Sequence, residues 1–535
     1  MAWNYDRARE RIDQLIRQRS DIYVEDVIGR LTRLRTESPS RLFSTKDALV
    51  SIPRDRAVLV DGVHVYARLS NYDDYRLESG SETEASHKRA LAFLHLLYGA
   101  MDRIVDDFGA QRVDYHGARL HCVVIEPENN ENARVLKALV LAQALQGLVR
   151  QANQEITRFD YDPKLRIGID SGRCVAINDG TGQEQEPLFL GSAANYAAKL
   201  ADGDGEGTFM SNRVRGIVGL TQLPGGLLQE KSNPLSVGNL VEFRTRAYAG
   251  GFDVPSNLTG DQEQLGRLIN DWRADIRAQR SATGGIDAFS FHVHTPPLKS
   301  IDYAALSPGN SIRMPLASIF ADLDGYTAYI DRCMATGNAG DAVRALHVLR
   351  GEFHNVLKSD FESRKVRYIG DCIHGVLAFG TPSSIDLAWT TREAVKCAAG
   401  LQGSFEIAQE RLGGLDDLGL ATGIEVGPTP ISRIGIRGDR SVRVASSTAT
   451  IQSQAEQENL EGTGIALGPI ALSNLSLSAQ RYFPNGQNES ADYDTLAYAL
   501  GLAASVSTNA QAAESDVREA EFRPHTPEFR PHAKG

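Results

Sequence analysis

Two aspartates lie at positions suited to holding a divalent cation. Asp322 follows the apolar run 318–321, which is typical of a buried strand, and a glycine-containing turn comes directly after it. Asp371 lies in a Gly-Asp turn between two apolar runs, the pattern of a β-hairpin tip. Carboxylates on neighbouring strands can bind Mg²⁺ ions that also contact a triphosphate. The first pattern alone favours an aspartate that caps the next helix, and the second pattern shifts the interpretation to a metal site.

Composition and charge argue against several classes of protein. The chain has 535 residues, enough for two or three domains, and its 42% hydrophobic and 23% charged residues are ordinary for a soluble protein. A net charge of −11 argues against a dedicated nucleic-acid binder. No apolar run approaches the roughly 18 residues that would span a bilayer, and no signal peptide is recognised at the N-terminus. Five cysteines without metal-binding spacing suggest free thiols, so we expect a cytoplasmic protein.

Three segments of the chain recur at a nearly constant distance. The segment that contains Asp322 matches one around Arg68, an offset of 254 residues (322 − 68). The hairpin of Asp371 matches one around Ala118, an offset of 253 residues (371 − 118), and a third pair of segments, 166–177 and 421–432, differs by 255 residues (421 − 166). Such regular offsets predict an internal duplication, with two homologous domains in one chain.

The elements that position these residues divide the chain into six predicted parts. Alternating strand and amphipathic-helix patterns predict the two domains, and low hydrophobicity with repeated prolines predicts a disordered C-terminal tail. A solvated tail is favoured over a peptide that binds a partner. The parts are an N-terminal helical extension (1–56), a first domain (57–252), a helical connector (253–310), a second domain (311–475), a C-terminal extension (476–506) and the tail (507–535).

The sequence FADLDGYT (320–327), followed by RYIGDCIHG (367–375), resembles the metal-binding half of class III nucleotidyl cyclases. The resemblance implies an α+β fold in which two tandem ferredoxin-like domains form an intramolecular head-to-tail pseudo-dimer. It implies two Mg²⁺ or Mn²⁺ ions at a metal set of Asp322, Leu323 and Asp371. It also implies that the turn after the strand binds the substrate phosphates, through Asp324, Gly325, Tyr326 and Thr327.

The resemblance also distinguishes the two halves. The first half has Arg68 and Ala118 at the metal positions, and neither side chain can ligate Mg²⁺. It keeps the family's Gly-x-x-x-Asn-x-x-x-Arg pattern as Gly191, Asn195 and Lys199. In the family the asparagine orients the ribose and the basic residue stabilises charge in the transition state. The spacing of four places Asn195 and Lys199 on one helical face.

The second half has lost what the first half keeps. At the positions matched to the asparagine and the basic residue we expect Arg443 and Ser447. One composite site would then combine Asp322 and Asp371 with Asn195 and Lys199, and its counterpart would be inactive. Lysine in place of the family's arginine predicts reduced turnover, because it lacks the bidentate fork. A surface lysine with no role is the alternative.

The residues leave the choice of base open. The positions that read the base in the family correspond to Asp114 and Leu188, which fit neither the adenine-reading nor the guanine-reading pair. Asp114 could accept a bond from uracil or cytosine, or simply end a strand. The chain resembles the bacterial pyrimidine cyclases of Pycsar anti-phage systems, which implies UTP as the favoured nucleoside triphosphate substrate and a cyclic product that acts on a separate effector protein. An adenylate cyclase and a nucleotide-sensing pseudoenzyme are the alternatives, and further oligomerisation stays open.

Overall fold

The computed structural model describes residues 2–18, 21–50, 52–77, 80–155, 162–178, 187–236, 266–274, 289–381, 383–435, 441–489 and 492–501, with isolated residues between 238 and 277. The elements of the first half are, in chain order, α1 (Tyr5–Gln18), β1 (Tyr23–Asp26), α2 (Val27–Glu37), α3 (Thr45–Val50), β2 (Arg56–Leu69), α4 (Tyr72–Arg76), α5 (Glu84–Asp107), β3 (Gln111–His116), β4 (Arg119–Val124), α6 (Glu131–Glu155), β5 (Leu165–Asn178), β6 (Pro187–Leu190), α7 (Ser192–Ala201), β7 (Gly207–Met210), α8 (Asn212–Ile217) and α9 (Leu227–Ser232).

The second half repeats this alternation of strands and helices. Its elements are β8 (Phe291–His292), β9 (Ser311–Asp324), α10 (Tyr326–Ala335), α11 (Ala339–Asn355), β10 (Arg364–Ile369), β11 (Cys372–Leu377), β12 (Gly380–Thr381), β13 (Ser384–Ile385), α12 (Leu387–Leu412), β14 (Gly419–Ile434), β15 (Val442–Ala445), α13 (Thr448–Glu458), β16 (Gly464–Leu467), α14 (Pro469–Ser473), α15 (Leu477–Gln480) and β17 (Gln487–Asn488). Among the described helices, none combines the length and apolar character that crossing a lipid bilayer requires.

The two halves build sheets with the same strand order. The first sheet runs β3-β4-β2-β5-β6, with β1 parallel to β2 and β7 parallel to β5. The second runs β10-β11-β9-β14-β16-β17, with β8 parallel to β9 and β15 antiparallel to β14. In each sheet a hairpin flanks a long antiparallel central pair. The fold is therefore mixed α and β, and the repeat found in the sequence is also a repeat of strand order.

The central strands also repeat in register. Tyr66 lies opposite Gly168 in the first sheet, and Phe320 lies opposite Gly423 in the second. A Cβ atom at Gly168 would lie 2.1 Å from the carbonyl oxygen of Ala197, on α7, and the corresponding clash at Gly423 is with a carbonyl of α13. Glycine is required at both positions because the helix backbone rests directly on the strand.

The N-terminal segment belongs to both halves. Helix α1 packs on α11 and α12, and Ala8 and Ile12 are fully buried in the core of the second half. Trp3, just before α1, is buried and donates from Nε1 to Ser404 Oγ at 2.8 Å. Strand β1, in contrast, pairs with β2 in the first sheet. Residues of the predicted N-terminal extension (1–56) therefore contribute to both halves, α1 to the core of the second half and β1 to the first sheet.

Trp3 predicts a measurable effect on stability. We expect Trp3→Ala to lower the free energy of unfolding by about 3–5 kcal/mol, the usual cost of removing a buried tryptophan. Gly403→Ala should also destabilise, by about 1–3 kcal/mol, since its Cβ would lie 2.7 Å from Trp3 Cη2. Chemical denaturation of the two variants and of the double variant measures both effects.

The double variant is the control for this contact. In the Trp3→Ala background the clash is gone, so Gly403→Ala should be neutral or stabilising, as alanine is in an exposed helix interior. Equal costs of Gly403→Ala in both backgrounds would contradict the packing of Trp3 against α12.

The predicted connector and C-terminal extension are described in part. Trp272 of the connector is buried, and its Nε1 donates to the carbonyl oxygen of Leu96 on α5 at 3.0 Å. In the C-terminal extension, β17 pairs with β16, and Tyr493 lies against Trp3 with ring centroids 4.9 Å apart. The predicted disordered tail and residues 253–265 lie outside the described residues.

Candidate active site

The two candidate metal ligands lie on adjacent strands of the second sheet. Asp322 is near the end of β9, opposite Ala421. Asp371 lies at the tip of the β10–β11 hairpin, directly after Gly370, whose φ of +60° allows the tight turn. Strand β11 pairs with β9 through Ile373 and Ala321, so the hairpin tip comes to rest beside Asp322. The pairing predicted from sequence is present.

The electrostatics of this pair suit a divalent cation. Desolvation raises the pKa of Asp371 to about 6. Desolvation also raises the pKa of Asp322 well above its usual range, and the neighbouring charges of Asp371, Asp324 and Glu458 add to the effect. Two carboxyl groups that resist ionisation in each other's presence would be stabilised in their ionised form by a bound cation.

The donor set leaves room for substrate and water. Among the described residues, the aspartates are not part of a cluster of three His, Cys, Asp or Glu side chains. Mg²⁺ is commonly held by one or two carboxylates together with substrate phosphates and water, so this sparse set fits it. Arg350, buried on α11, supports the hairpin, since its Nη2 donates to the carbonyl oxygen of Gly370.

The turn after β9 offers backbone groups and few side chains. Gly325 caps α10 with φ +80°, and a Cβ there would lie 3.0 Å from the carbonyl oxygen of Asp417. Leu323 is buried in the core, and the hydroxyl of Tyr326 donates to Ala342 at 2.9 Å. Asp324 accepts a bond from the backbone N–H of Gly462 at 2.7 Å. At Leu323 and Tyr326, only the backbone remains to contact a cation or a phosphate.

Helix α7 of the first half reaches this turn of the second half. Asn195 Nδ2 donates to Thr327 Oγ1 at 2.7 Å. At the start of the same helix, the backbone N–H of Ser192 donates to Asp331 Oδ1 on α10 at 3.1 Å. Lys199 follows Asn195 by one turn and is exposed. The structure therefore brings Asn195 of the first half into contact with Thr327 of the second half, more than a hundred positions later in the chain.

The corresponding positions of the first sheet contain an ion cluster. Arg68 occupies the place of Asp322, and its Nη1 lies 3.5 Å from Asp202 Oδ1. Arg119 Nη2 donates to the same oxygen. Asp202 lies at the C-terminal end of α7, and Glu458 lies at the equivalent end of α13. In the first sheet this carboxylate faces Arg68, and in the second sheet it lies near Asp322. Ala118, at the place of Asp371, contributes no ligand.

The prediction that Arg443 and Ser447 occupy the positions matched to Asn195 and Lys199 was wrong. Arg443 lies in strand β15, stacked 5.1 Å from the ring of Tyr303, and Ser447 is the N-cap of α13. Since Gly191 is the N-cap of α7, it corresponds to Ser447. Counting along the helices, Asn195 corresponds to Ile451 and Lys199 to Ala455. Neither Ile451 nor Ala455 supplies an amide or a basic group, so the second half still lacks both functional groups at these positions.

The two candidate base-reading residues have structural partners. Leu188, on β6, is buried within the apolar core that includes residues of the second half. The carboxylate of Asp114 forms an ion pair with Arg367 of the second half. A bond from Asp114 to a base would have to coexist with that ion pair. Sequence reasoning missed Arg350 and Glu458, which lie outside the quoted motifs, and the role of Arg367, whose partner Asp114 is distant in the sequence although Arg367 begins the motif RYIGDCIHG.

The raised pKa values predict how metal affects stability. A carboxyl group with a raised folded-state pKa binds its proton more tightly in the folded protein, so metal-free stability should fall as pH rises from about 4 to 6. Since the metal binds the ionised form, Mg²⁺ should raise the melting temperature little at about pH 5 and more at about pH 8. Thermal unfolding with and without Mg²⁺ measures this, and Asp371→Asn should flatten the pH dependence. An equal Mg²⁺ effect at both pH values would contradict the assignment.

Comparisons with known proteins add three findings. Residues 79–215 match the family described as the adenylate and guanylate cyclase catalytic domain. Curated proteins named uridylate cyclase are 45% identical over 449 residues in a Rhizobium species, covering 82% of this chain and 83% of that protein, and 34% identical over 510 residues in Pseudomonas aeruginosa, covering 93% and 91%. A crystal structure described as a class III adenylyl cyclase-like ATP-binding protein from Pseudomonas aeruginosa matches with a TM-score of 0.81 and 33% identity, covering 94% of this chain and 100% of that one.

Proposed function

The chain belongs to the class III nucleotidyl cyclases, and we propose that it converts a pyrimidine nucleoside triphosphate, UTP in first place, to the 3′,5′-cyclic nucleotide and pyrophosphate. The observation that carries the site assignment is the bond from Asn195 to Thr327, which joins the helix of one half to the turn of the other. The choice of base follows the names of the two uridylate cyclases that the chain resembles.

We further propose that the two halves act as tandem cyclase domains in an intramolecular pseudo-dimer. The repeated strand order, the shared register and the contacts of α7 with α10 support this arrangement. One interface site combines Asp322 and Asp371 with Asn195 and Lys199. Its counterpart, which contains Arg68 and Asp202, is inactive because a guanidinium occupies the place of a ligand.

The chain's own residues hold and orient the substrate. Asp322 and Asp371, with the backbone carbonyl of Leu323, would hold Mg²⁺ or Mn²⁺, which supplies charge neutralisation and makes the ribose hydroxyl more acidic. Asn195 would hold the ribose so that its 3′-oxygen faces the α-phosphorus. Backbone N–H groups at the start of α10 would bind the phosphates, as helix N-termini do.

Lys199 would act on the charge that the reaction creates. The ribose 3′-hydroxyl gives its proton to solvent water, its oxygen forms a bond to the α-phosphorus in line with the bond to the bridging oxygen that breaks, and pyrophosphate leaves. Negative charge on the phosphoryl oxygens would be stabilised by the ammonium group of Lys199, one turn beyond Asn195. Leu188 would give the base an apolar wall. By resemblance to Pycsar systems, the cyclic product would act as a signal for a separate effector protein in defence against phage.

A product assay tests this proposal. Purified protein is incubated with each of the four nucleoside triphosphates and Mn²⁺, and the products are identified by mass spectrometry. We expect cyclic UMP as the main product. Cyclic AMP as the main product would favour the adenylate cyclase alternative. The similarity to a protein described as ATP-binding supports that alternative. Nucleotide binding without any cyclic product would contradict the proposal and leave a nucleotide sensor.

A further inference from the structure

The hairpins of the two sheets share an irregularity. In β3–β4 the register shifts between Arg112 and Asp114, and in β10–β11 it shifts between Lys365 and Arg367. Each shift leaves one extra residue in the strand, Val113 or Val366, and both valines are buried. Bulges of this kind bend a strand and redirect the side chains that follow. Asp114 and Arg367 are the residues that follow.

Asp114 and Arg367 occupy equivalent places. Asp114 lies opposite His121, and Arg367 lies opposite His374; each histidine in turn lies opposite the central aromatic residue of its own sheet. Arg367 Nη2 donates to Asp114 Oδ1. Two equivalent positions that touch one another must lie at the axis that relates the two halves.

The contact is larger than one ion pair. Arg367 Nη1 donates to the carbonyl oxygen of Tyr115, the residue next to Asp114. The side chain of Arg367 is 12% exposed and that of Asp114 is 29% exposed, so the pair is partly buried. Beside the pair, His116 Nε2 lies 2.9 Å from Gln454 Oε1 on α13 and forms a second contact between the halves.

The charges at this axis allow only one kind of pairing. If two first halves paired in the same geometry, two aspartates would meet there, and two second halves would bring together two arginines. Like charges brought together at a partly buried contact are unfavourable. A pair of two first halves or of two second halves would also lack the proposed active site, since neither would combine Asp322 and Asp371 with Asn195 and Lys199.

We propose that the Asp114–Arg367 pair positions the metal-bearing hairpin against the first half and restricts pairing to unlike halves. Arg367 lies on the hairpin whose tip carries Asp371, so the pair fixes one side of that hairpin while Arg350 supports the tip. Arg367 is thus a positioning residue, and Asp114 serves the interface and not the base. The proposal rests on the composite site proposed above.

Exchange of the two residues tests the proposal. Because the positions are equivalent, Asp114→Arg combined with Arg367→Asp rebuilds the same pair with reversed polarity. We expect each single variant to lower kcat about tenfold to hundredfold, with a smaller change in KM, and to lower the melting temperature. The double variant should recover most of both losses. If Asp114 and Arg367 only filled space, exchanging the two side chains would not restore kcat or the melting temperature.

Two controls separate the possible failures. Lys299 and Glu362 form an exposed ion pair within the second half, and exchanging them should leave activity unchanged. If the wild type forms no cyclic nucleotide, the proposed function fails, yet the melting temperatures of the same four proteins still measure the coupling. A double variant no better than the single ones, in activity and in melting temperature, would overturn the pair. A changed preference among the four nucleotides in Asp114→Asn would overturn its assignment to the interface.

Discussion

Asp322→Ala should form no measurable cyclic nucleotide, and Arg68→Ala should turn over nearly as fast as the wild type. The two residues occupy equivalent positions in their sheets, but only Asp322 lies beside a second carboxylate that can share a cation. Loss of several kcal/mol of charge stabilisation in the transition state corresponds to at least about a thousandfold loss of rate. Steady-state assays with the preferred nucleotide give both values.

The melting temperatures of the same two variants show whether each of them folds. Removing the desolvated carboxyl of Asp322 relieves repulsion, so Asp322→Ala should melt at or above the wild-type temperature in the absence of metal. In Arg68→Ala, the carboxylate of Asp202 keeps Arg119 as its partner. A strong loss of activity in Arg68→Ala would contradict the single-site assignment.

Lys199→Ala should lower kcat about a hundredfold to a thousandfold with little change in KM. A cation that acts on charge developing in the transition state contributes to kcat, and removal of one such group commonly costs this much. Lys199→Arg should keep or raise kcat, since arginine can bind phosphoryl oxygens through two parallel bonds. Measurement of kcat and KM for the three proteins distinguishes these outcomes.

Ala455 provides the matched control, because it occupies on α13 the position that Lys199 has on α7. Ala455→Lys should add no activity, since Arg68 and Ala118 stand at the metal positions of that site. If Lys199→Ala retained full turnover, Lys199 would be an ordinary surface lysine of α7.

The sequence predicted the pairing of Asp322 with Asp371 because both lie in short local patterns, a strand end and a hairpin tip. It predicted that Asn195 approaches the second half only through the family resemblance, since nothing local links α7 to residues more than a hundred positions later. In the structure, Asp322 and Asp371 lie on adjacent strands and Asn195 bonds to Thr327, 132 positions later. The catalytic roles of these residues stay predictions.

Two failures have identifiable physical causes. The position of Arg443 was predicted wrongly because the N-cap of α13 is Ser447 whereas that of α7 is Gly191, so the glycine of the family pattern does not mark the start of α13. The contribution of Trp3 to the second half was missed because its partner, Ser404, is 401 residues away. Periodicity shows that a helix has an apolar face but not which element covers it.

The N-terminal segment makes the two halves depend on each other if the chain is cut between them. A cut within the connector would give a first fragment that carries Trp3 and Arg11, whose partners Ser404, Glu352 and Asp360 remain on the second fragment. The second fragment alone would expose an apolar groove and two buried carboxylates without their counterion. The two pieces would therefore be obligate complements, as in a split reporter, and activity would return only when both are present in the same solution.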